Sequence, residues 1–331
     1  MHSLITNRGC RIIALVGISK NSGKTSLLNH ILAEFPRYRW GVMTTGIDGE
    51  IQDRVFKTPK PRLNLPRGTI FCCDDSTLEG HGSKISILHK ATSSKRSLWI
   101  VQAESALETE IAGASSTKEQ IQIAKQLGLL GADKVLIDGS LDRKSIALED
   151  SVDAIFLCVG ASFGDARTSI TELKRLQLLR DISPAKLSKH SSLRLKESNN
   201  ILYKNNHQWM NSGLSSIIGN STEFSNLLVS EPQEIYIPGA FTEAMFAKHR
   251  KALAHSKTAL IFRHPECIKL GYQSLLGFVK ELSVQSLIQF KLKAFALNSW
   301  AVRSPDQDAE MFRSEIKLAF PNIDFLDIRE L

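Results

Sequence analysis

Gly17-Ile18-Ser19-Lys20-Asn21-Ser22-Gly23-Lys24-Thr25 sets two glycines, a lysine and a hydroxyl residue in an order suited to cradling a phosphate chain. The backbone N–H groups of residues 20–25 can wrap a β-phosphate, aided by the start of a helix. Lys24 reaches the β- and γ-phosphates as a mobile point charge. The Thr25 hydroxyl is a Mg²⁺ ligand, and Gly23 permits close backbone approach. Gly17, Lys20, Asn21, Ser22, Gly23, Lys24 and Thr25 are therefore the expected nucleotide-binding residues. Five residues separate Gly17 from Gly23, one more than the usual four. The flanks suit this role. Arg11–Val16 reads as a short buried strand, and Leu27, Leu28, Ile31 and Leu32 fall on one side of a helix that Pro36 helps to end.

A metal-bound phosphate needs carboxylates. Val135-Leu136-Ile137-Asp138-Gly139 places Asp138 at the end of a strand, where it can hold Mg²⁺ directly or through water. Asp142 and Arg143 follow with less support. Thr44-Thr45-Gly46-Ile47-Asp48-Gly49-Glu50 follows a second strand. Asp48 is a candidate metal ligand or water-positioning catalytic residue beside Lys24, and Glu50 a weaker one. The metal set is thus Thr25, Asp48 and Asp138. Lys60 and Arg62 could hold an anion or simply meet solvent. Glu104, Glu108 and Glu110 follow another strand, and one of them could face the site. Ile111–Thr117 either binds an anion or caps a helix. There is no zinc spacing and no serine elbow. His249, His255 and His264 stand isolated, with no catalytic role expected.

The elements that must carry these residues alternate between strand and helix. Strands are expected at Trp40–Met43, Ser97–Val101, Lys134–Asp138 and Asp153–Val159. Helices are expected at Thr117–Leu130, capped by Thr117 with Gln120 as its capping-box partner, and at Thr168–Leu179. Phe56–Phe71 reads as a loop or hairpin excursion. The rhythm returns with strands at Glu234–Ile237, Thr258–Phe262, Phe290–Leu297 and Ile323–Ile328. The helices between them are Thr242–Ala254, Gly271–Leu282 and Asp306–Ala319. Such alternation predicts an α/β sheet covered on both faces. The division read from this pattern is a nucleotide-binding domain over 1–182, a basic polar linker or insertion over 183–230, and a C-terminal α/β lobe, or extension of the same sheet, over 231–331.

The 331-residue chain is long enough for two lobes. With 42% hydrophobic and 23% charged residues, it has the composition of an ordinary globular protein. The formal charge of +8 is scattered, without the basic stripe that specific nucleic-acid binding needs. Five cysteines, an odd count with no C-x-x-C pair, argue against a disulfide scaffold. With no long apolar run, no membrane association is expected and a cytoplasmic location is.

The lengthened phosphate loop is similar to that of dethiobiotin synthetase and its relatives, within the P-loop class that includes MinD, the signal-recognition GTPases and nitrogenase iron protein. Ser19 stands where many MinD-type loops carry an extra lysine. Lys20–Thr25, Thr44–Glu50, Thr58-Pro59-Lys60-Pro61-Arg62, Ile137–Ser145, Ile237-Pro238-Gly239-Ala240 and Leu297-Asn298 together resemble a family encoded beside cobalamin-dependent lysine 5,6-aminomutase. That family is described as a subunit of the enzyme's reactivating factor. The resemblance implies a P-loop NTPase three-layer sandwich with a mostly parallel sheet, followed by further α/β units. It implies Mg²⁺ and ATP as cofactors, ATP-dependent release of damaged cobalamin cofactor, and as partner the aminomutase or another reactivase subunit, with a homodimer as an option. The corresponding residues are Gly23, Lys24, Thr25, Asp48, Gly49, Glu50 and Asp138. No arginine precedes Asp48, a departure from the family's pattern. A small-molecule kinase or ATP-dependent ligase of dethiobiotin-synthetase type is the competing expectation. A GTPase switch is disfavoured by the missing Asn-Lys-x-Asp motif, and a relic nucleotide site on a structural protein is the fourth reading.

Overall fold

The apolar runs of this chain become strands covered on both faces. The computed structural model describes residues 1–45, 62–91, 93–140, 149–300 and 308–328. Ile13, Ala14, Leu15 and Val16 are all buried in the strand Ile12–Gly17. Trp40–Thr44 and Ala154–Gly160 are buried along their whole length. A strand with no solvent face belongs inside a sheet sandwiched by other elements.

Among the described residues, nine strands form one mostly parallel sheet. Its order is Phe325–Asp327, Leu292–Asn298, Ala154–Gly160, Ile12–Gly17, Lys134–Ser140, Trp40–Thr44, Ile70–Asp74, Leu98–Ala103 and Ile85–Ala91. Every pair from Phe325–Asp327 to Ile70–Asp74 is parallel. Leu98–Ala103 runs antiparallel to both its neighbours. Ile12–Gly17 lies between Lys134–Ser140 and Ala154–Gly160, and the later chain builds outward on both sides of it. That arrangement opens a crevice at the strand's carboxyl end, the usual ligand position in open α/β sheets. Leu27, Leu28, Ile31 and Leu32 of the helix Lys24–Glu34 pack into the core shared with Ile13, Leu15, Leu136 and Phe156.

The chain divides into two units, Met1–Ser169 with Lys291–Leu331, and Ile170–Phe290. The helix Ala166–Arg180 carries the chain across this division. The second unit has its own sheet, in the order Ser183–Pro184, Val284–Ser286, Ala259–Phe262, Glu234–Ile237, Leu202–Asn205 and Gln208–Asn211. The first four strands are parallel, and the last two form an antiparallel hairpin on their edge. Leu195, Leu202, Trp209, Tyr236 and Ile261 pack together there.

Three sequence expectations bear on this arrangement. Residues 183–230, expected as a linker or insertion, hold an edge strand, the hairpin and the helices Lys189–Glu197 and Ser221–Val229. The helix Lys189–Glu197 buries only Leu195, so its sequence reads as solvated chain. The C-terminal strands Leu292–Asn298 and Phe325–Asp327 extend the first sheet, whereas Glu234–Ile237 and Ala259–Phe262 belong to the second. The cap of the helix Thr117–Leu129 is also one residue earlier than expected. Ser116 accepts from Glu119 N–H, while Gln120 turns away to donate to the carbonyls of Ala114 and Thr45, at 2.9 and 3.2 Å. Buried carbonyls compete for that amide more strongly than an exposed helix end does. Among the described residues no helix is long and apolar enough to cross a membrane.

Candidate functional site

The loop after Ile12–Gly17 is closed tightly on itself. A Cβ placed on Gly17 would stand 2.0 Å from Ser22 Oγ and 3.0 Å from the Ser19 carbonyl. The loop reverses through left-handed backbone at Asn21 (φ 60°) and Gly23 (φ 93°). Asparagine tolerates that region and glycine adopts it freely, which explains both residue types. A Cβ on Gly23 would lie 2.5 Å from Ile328 Cδ1.

Neighbouring strand ends brace the loop from outside. Ile18 N–H donates to the Cys158 carbonyl at 3.1 Å. Ser162 Oγ donates to the Lys20 carbonyl at 2.8 Å and lies 3.1 Å from Ser19 Oγ. Asn298 Nδ2 donates to the Asn21 carbonyl at 3.2 Å. Loop carbonyls at 20 and 21 are thereby engaged outward.

The helix Lys24–Glu34 begins without a side-chain cap at Gly23. Its first helical hydrogen bond runs from Leu27 N–H to the Gly23 carbonyl at 3.0 Å. The N–H groups of Lys24, Thr25 and Ser26 therefore have no acceptor within the helix, and the helix dipole favours an anion there. A closed loop and open helix-start N–H groups are what an anion site requires.

Lys24 and Asp138 share this crevice. Leu15 pairs with Asp138 in parallel register, and Gly17 with Ser140 and Cys158. Burial pushes the Cys158 thiol up to about 12, while the Lys24 charge lowers it and the Asp138 charge raises it. Both charges thus act on one buried sulfur beside the loop strand. Lys24, Thr25 and Asp138 are each half-buried, while Lys20 and Asn21 are exposed. Ser22 Oγ is buried, with no hydrogen-bond partner among the described residues. Thr45 N–H donates to the Asp138 carbonyl at 2.7 Å, holding the start of the Thr44–Glu50 string against the Asp138 strand. Asp48, Glu50, Lys60, Asp142 and Arg143 lie outside the described residues.

Other sequence candidates have structural partners. Glu104 accepts from Ser86 Oγ at 2.6 Å, and Glu108 pairs with Arg62 at 2.9 Å. The Ile111–Thr117 string supplies the Ser116 cap, and Gly113 packs so closely on the Thr44 carbonyl that a Cβ would stand 1.8 Å away. Sequence reasoning did not single out Ser162 as a loop contact. Its only signal was a small polar residue just past the Ala154–Gly160 strand. Asn298 was part of a noted string but had no assigned role.

Hard oxygen ligands suit Mg²⁺, which takes one or two protein oxygens and completes its shell with water and phosphate. Thr25 and Asp138 meet that requirement. No group of three or more His, Cys, Asp or Glu side chains able to hold a metal occurs among the described residues. Comparisons with protein-family models, curated proteins and solved structures found no match to this chain.

Proposed function

We propose that the first unit is a P-loop NTPase domain that binds Mg²⁺-ATP through Gly17–Thr25 and hydrolyses it in the service of a protein partner. The observation that carries this reading is the closed Gly17–Gly23 loop, braced from outside and running into an uncapped helix end. Lys24 would neutralise charge on the β- and γ-phosphates, and backbone N–H groups of the loop and helix would fix their position. Thr25 and Asp138 would hold Mg²⁺, with Asp48 as the proposed third oxygen and water-positioning residue. The metal would supply electrostatic stabilisation of the transferring phosphoryl group. By resemblance, the partner would be a cobalamin-dependent aminomutase or another reactivase subunit, in the cytoplasm.

The test is titration with a fluorescent ATP analogue, with and without Mg²⁺. Lys24→Ala is expected to weaken binding by at least about tenfold, the loss of one charge-assisted contact set. Unchanged affinity in that variant rejects the phosphate role. ATPase turnover measured alone and with the aminomutase then separates an accessory role from an autonomous one.

One observation favours a second reading, a small-molecule kinase or ATP-dependent ligase. A cleft of about 870 Å³ runs along the same helix, lined by Ser26, Asn29, His30, Asn64, Leu107 and Ile328 among others. Ile328 also closes on Gly23, so the cleft adjoins the phosphate loop. Turnover that appears only with a small amine or carboxylate would favour this reading over the accessory one.

A further inference from the structure

The second unit contains a serine–histidine pair remote in sequence from the phosphate loop. Ser221 Oγ lies 2.9 Å from His249 Nε2, and Ser225 Oγ lies 3.3 Å from His249 Nδ1. The helices Ser221–Val229 and Glu243–Ser256 supply the two sides of this contact. Proton accounting fixes the direction of each bond. Ser225 Oγ donates its one proton to the Ser221 carbonyl at 3.0 Å. Its contact with Nδ1 therefore requires the ring to donate. A neutral imidazole protonated at Nδ1 leaves Nε2 as an acceptor, and Ser221 is the residue that donates to it. Burial, with Lys248 nearby, lowers the His249 pKa and keeps the ring neutral. Phe224 packs edge-on against the ring at 5.1 Å and helps to fix its plane. A hydroxyl on the acceptor nitrogen of a histidine, itself oriented by a third side chain, is the arrangement of an activated nucleophile.

A second, independent feature stands beside the same hydroxyl. Ser221 is the first residue of its helix, and the preceding Asn220 makes no side-chain cap. Asn220 Nδ2 instead donates to the Ser216 carbonyl at 3.1 Å. The first helical bond runs from Phe224 N–H to the Asn220 carbonyl at 3.0 Å. The N–H groups of Ser221, Thr222 and Glu223 thus have no acceptor within the helix, and none of the described side chains takes them. Thr222 and Glu223 are exposed, Ser221 is half-buried, and Ile218 presents 63% of its surface three residues before Ser221.

We propose that Ser221, His249 and Ser225 form a serine-nucleophile site that accepts the acyl group of an ester. Ser221 Oγ bonds to the ester carbonyl carbon while its proton passes to His249 Nε2. The resulting oxyanion meets the open N–H groups of the helix start. The carbon–oxygen bond to the leaving alcohol then breaks, and the alcohol leaves with the proton from His249. Water, deprotonated by the same nitrogen, hydrolyses the acyl-serine. A neutral hydroxyl stands where triad enzymes place a carboxylate. Without it the imidazolium is poorly stabilised, so acylation and deacylation are both slow.

Covalent labelling tests this without needing turnover. The full-length protein is treated with a fluorophosphonate probe, in which Ser221 displaces fluoride and His249 takes the proton. Peptide mass mapping is expected to place the adduct on Ser221 and to find none on that peptide in Ser221→Ala. Labelling is expected to slow at least tenfold in His249→Gln and severalfold in Ser225→Ala, which keeps both the nucleophile and the base. Circular dichroism confirms that each variant is folded. If His249→Gln does not fold, Ser225→Ala decides. No adduct at Ser221, or a labelling rate unchanged in the folded variants, overturns the proposal.

Discussion

Asn298 donates its amide to the carbonyl of Asn21, joining the end of one sheet strand to the phosphate loop of another across most of the chain. This contact holds a left-handed residue in place and turns its carbonyl away from the cradle. Removing it leaves the fold intact but loosens the loop. Asn298→Ala is expected to weaken Mg²⁺-ATP binding about fivefold, the equivalent of ~1 kcal/mol for one hydrogen bond. Calorimetric titration measures the affinity, and a melting curve should move little. An unchanged affinity would mean that the brace contributes nothing to binding.

Gly17 and Ser22 offer a sharper probe of loop closure. Gly17→Ala drives a methyl group to 2.0 Å from Ser22 Oγ, inside a buried contact. Overpacking of this kind costs about 1–3 kcal/mol. The single variant should lose both stability and nucleotide affinity. Adding Ser22→Ala removes the colliding oxygen, and the remaining approach to Ser22 Cβ is 3.2 Å. The double variant should therefore recover part of the lost stability, a coupling that a double-mutant cycle in urea would detect.

The second unit holds a buried ion network. Glu266, 6% exposed, pairs with Arg175 at 3.3 Å and Lys269 at 3.1 Å, and Arg175 also binds Glu172 at 2.8 Å. Glu266→Ala strands a mostly buried guanidinium with one partner. The expected loss is about 3 kcal/mol, as found when one member of a buried pair is removed. Chemical denaturation of wild type and variant measures it. Glu266→Gln, which retains hydrogen bonding, should lose less.

Acid should weaken the same unit through His264. Burial, with the Lys269 charge adding to it, pushes the ring down to about 3. Its Nδ1 accepts from Glu266 N–H at 3.0 Å, and its face meets the edge of Phe290. In the unfolded chain the ring titrates near 6.5. Between these values the unfolded state binds a proton that the folded state refuses, so stability rises with pH. The loss on acidification begins below about 6.5 and approaches 1.4 kcal/mol per pH unit at most. It continues down to about 3. Stability measured at several pH values should show this slope, and His264→Gln should flatten it.

The strand, loop and helix around Gly17–Thr25 were legible because their physics is local. Glycine at a left-handed turn, lysine at the helix start and an apolar strand before it all fall within a few positions. The central strands were legible for the same reason, since burial on both faces leaves an unbroken apolar run. The braces were not. Ser162 reaches the loop only once Ala154–Gly160 docks beside Ile12–Gly17, and Asn298 only once Leu292–Asn298 docks in turn on Ala154–Gly160; neither residue type announces such a role. Residues 183–230 read as a linker or insertion because the short helix Lys189–Glu197 hides a single buried leucine among polar residues. His249 looked isolated because its partners lie 24 and 28 residues away on another helix.

The division of the chain also orders events in time. Ala154–Gly160 and Leu292–Asn298 are adjacent parallel strands, and the whole of Ile170–Phe290 lies between them in sequence. A ribosome must therefore deliver an entire folding unit before it releases the strand that carries Asn298. The Gly17–Gly23 loop is made long before Asn298, the residue that braces it. Nascent chains stalled before Leu292 should hold nucleotide more weakly than chains extended past Asp327. That delay would keep nucleotide capture weak until Ile170–Phe290 has been made.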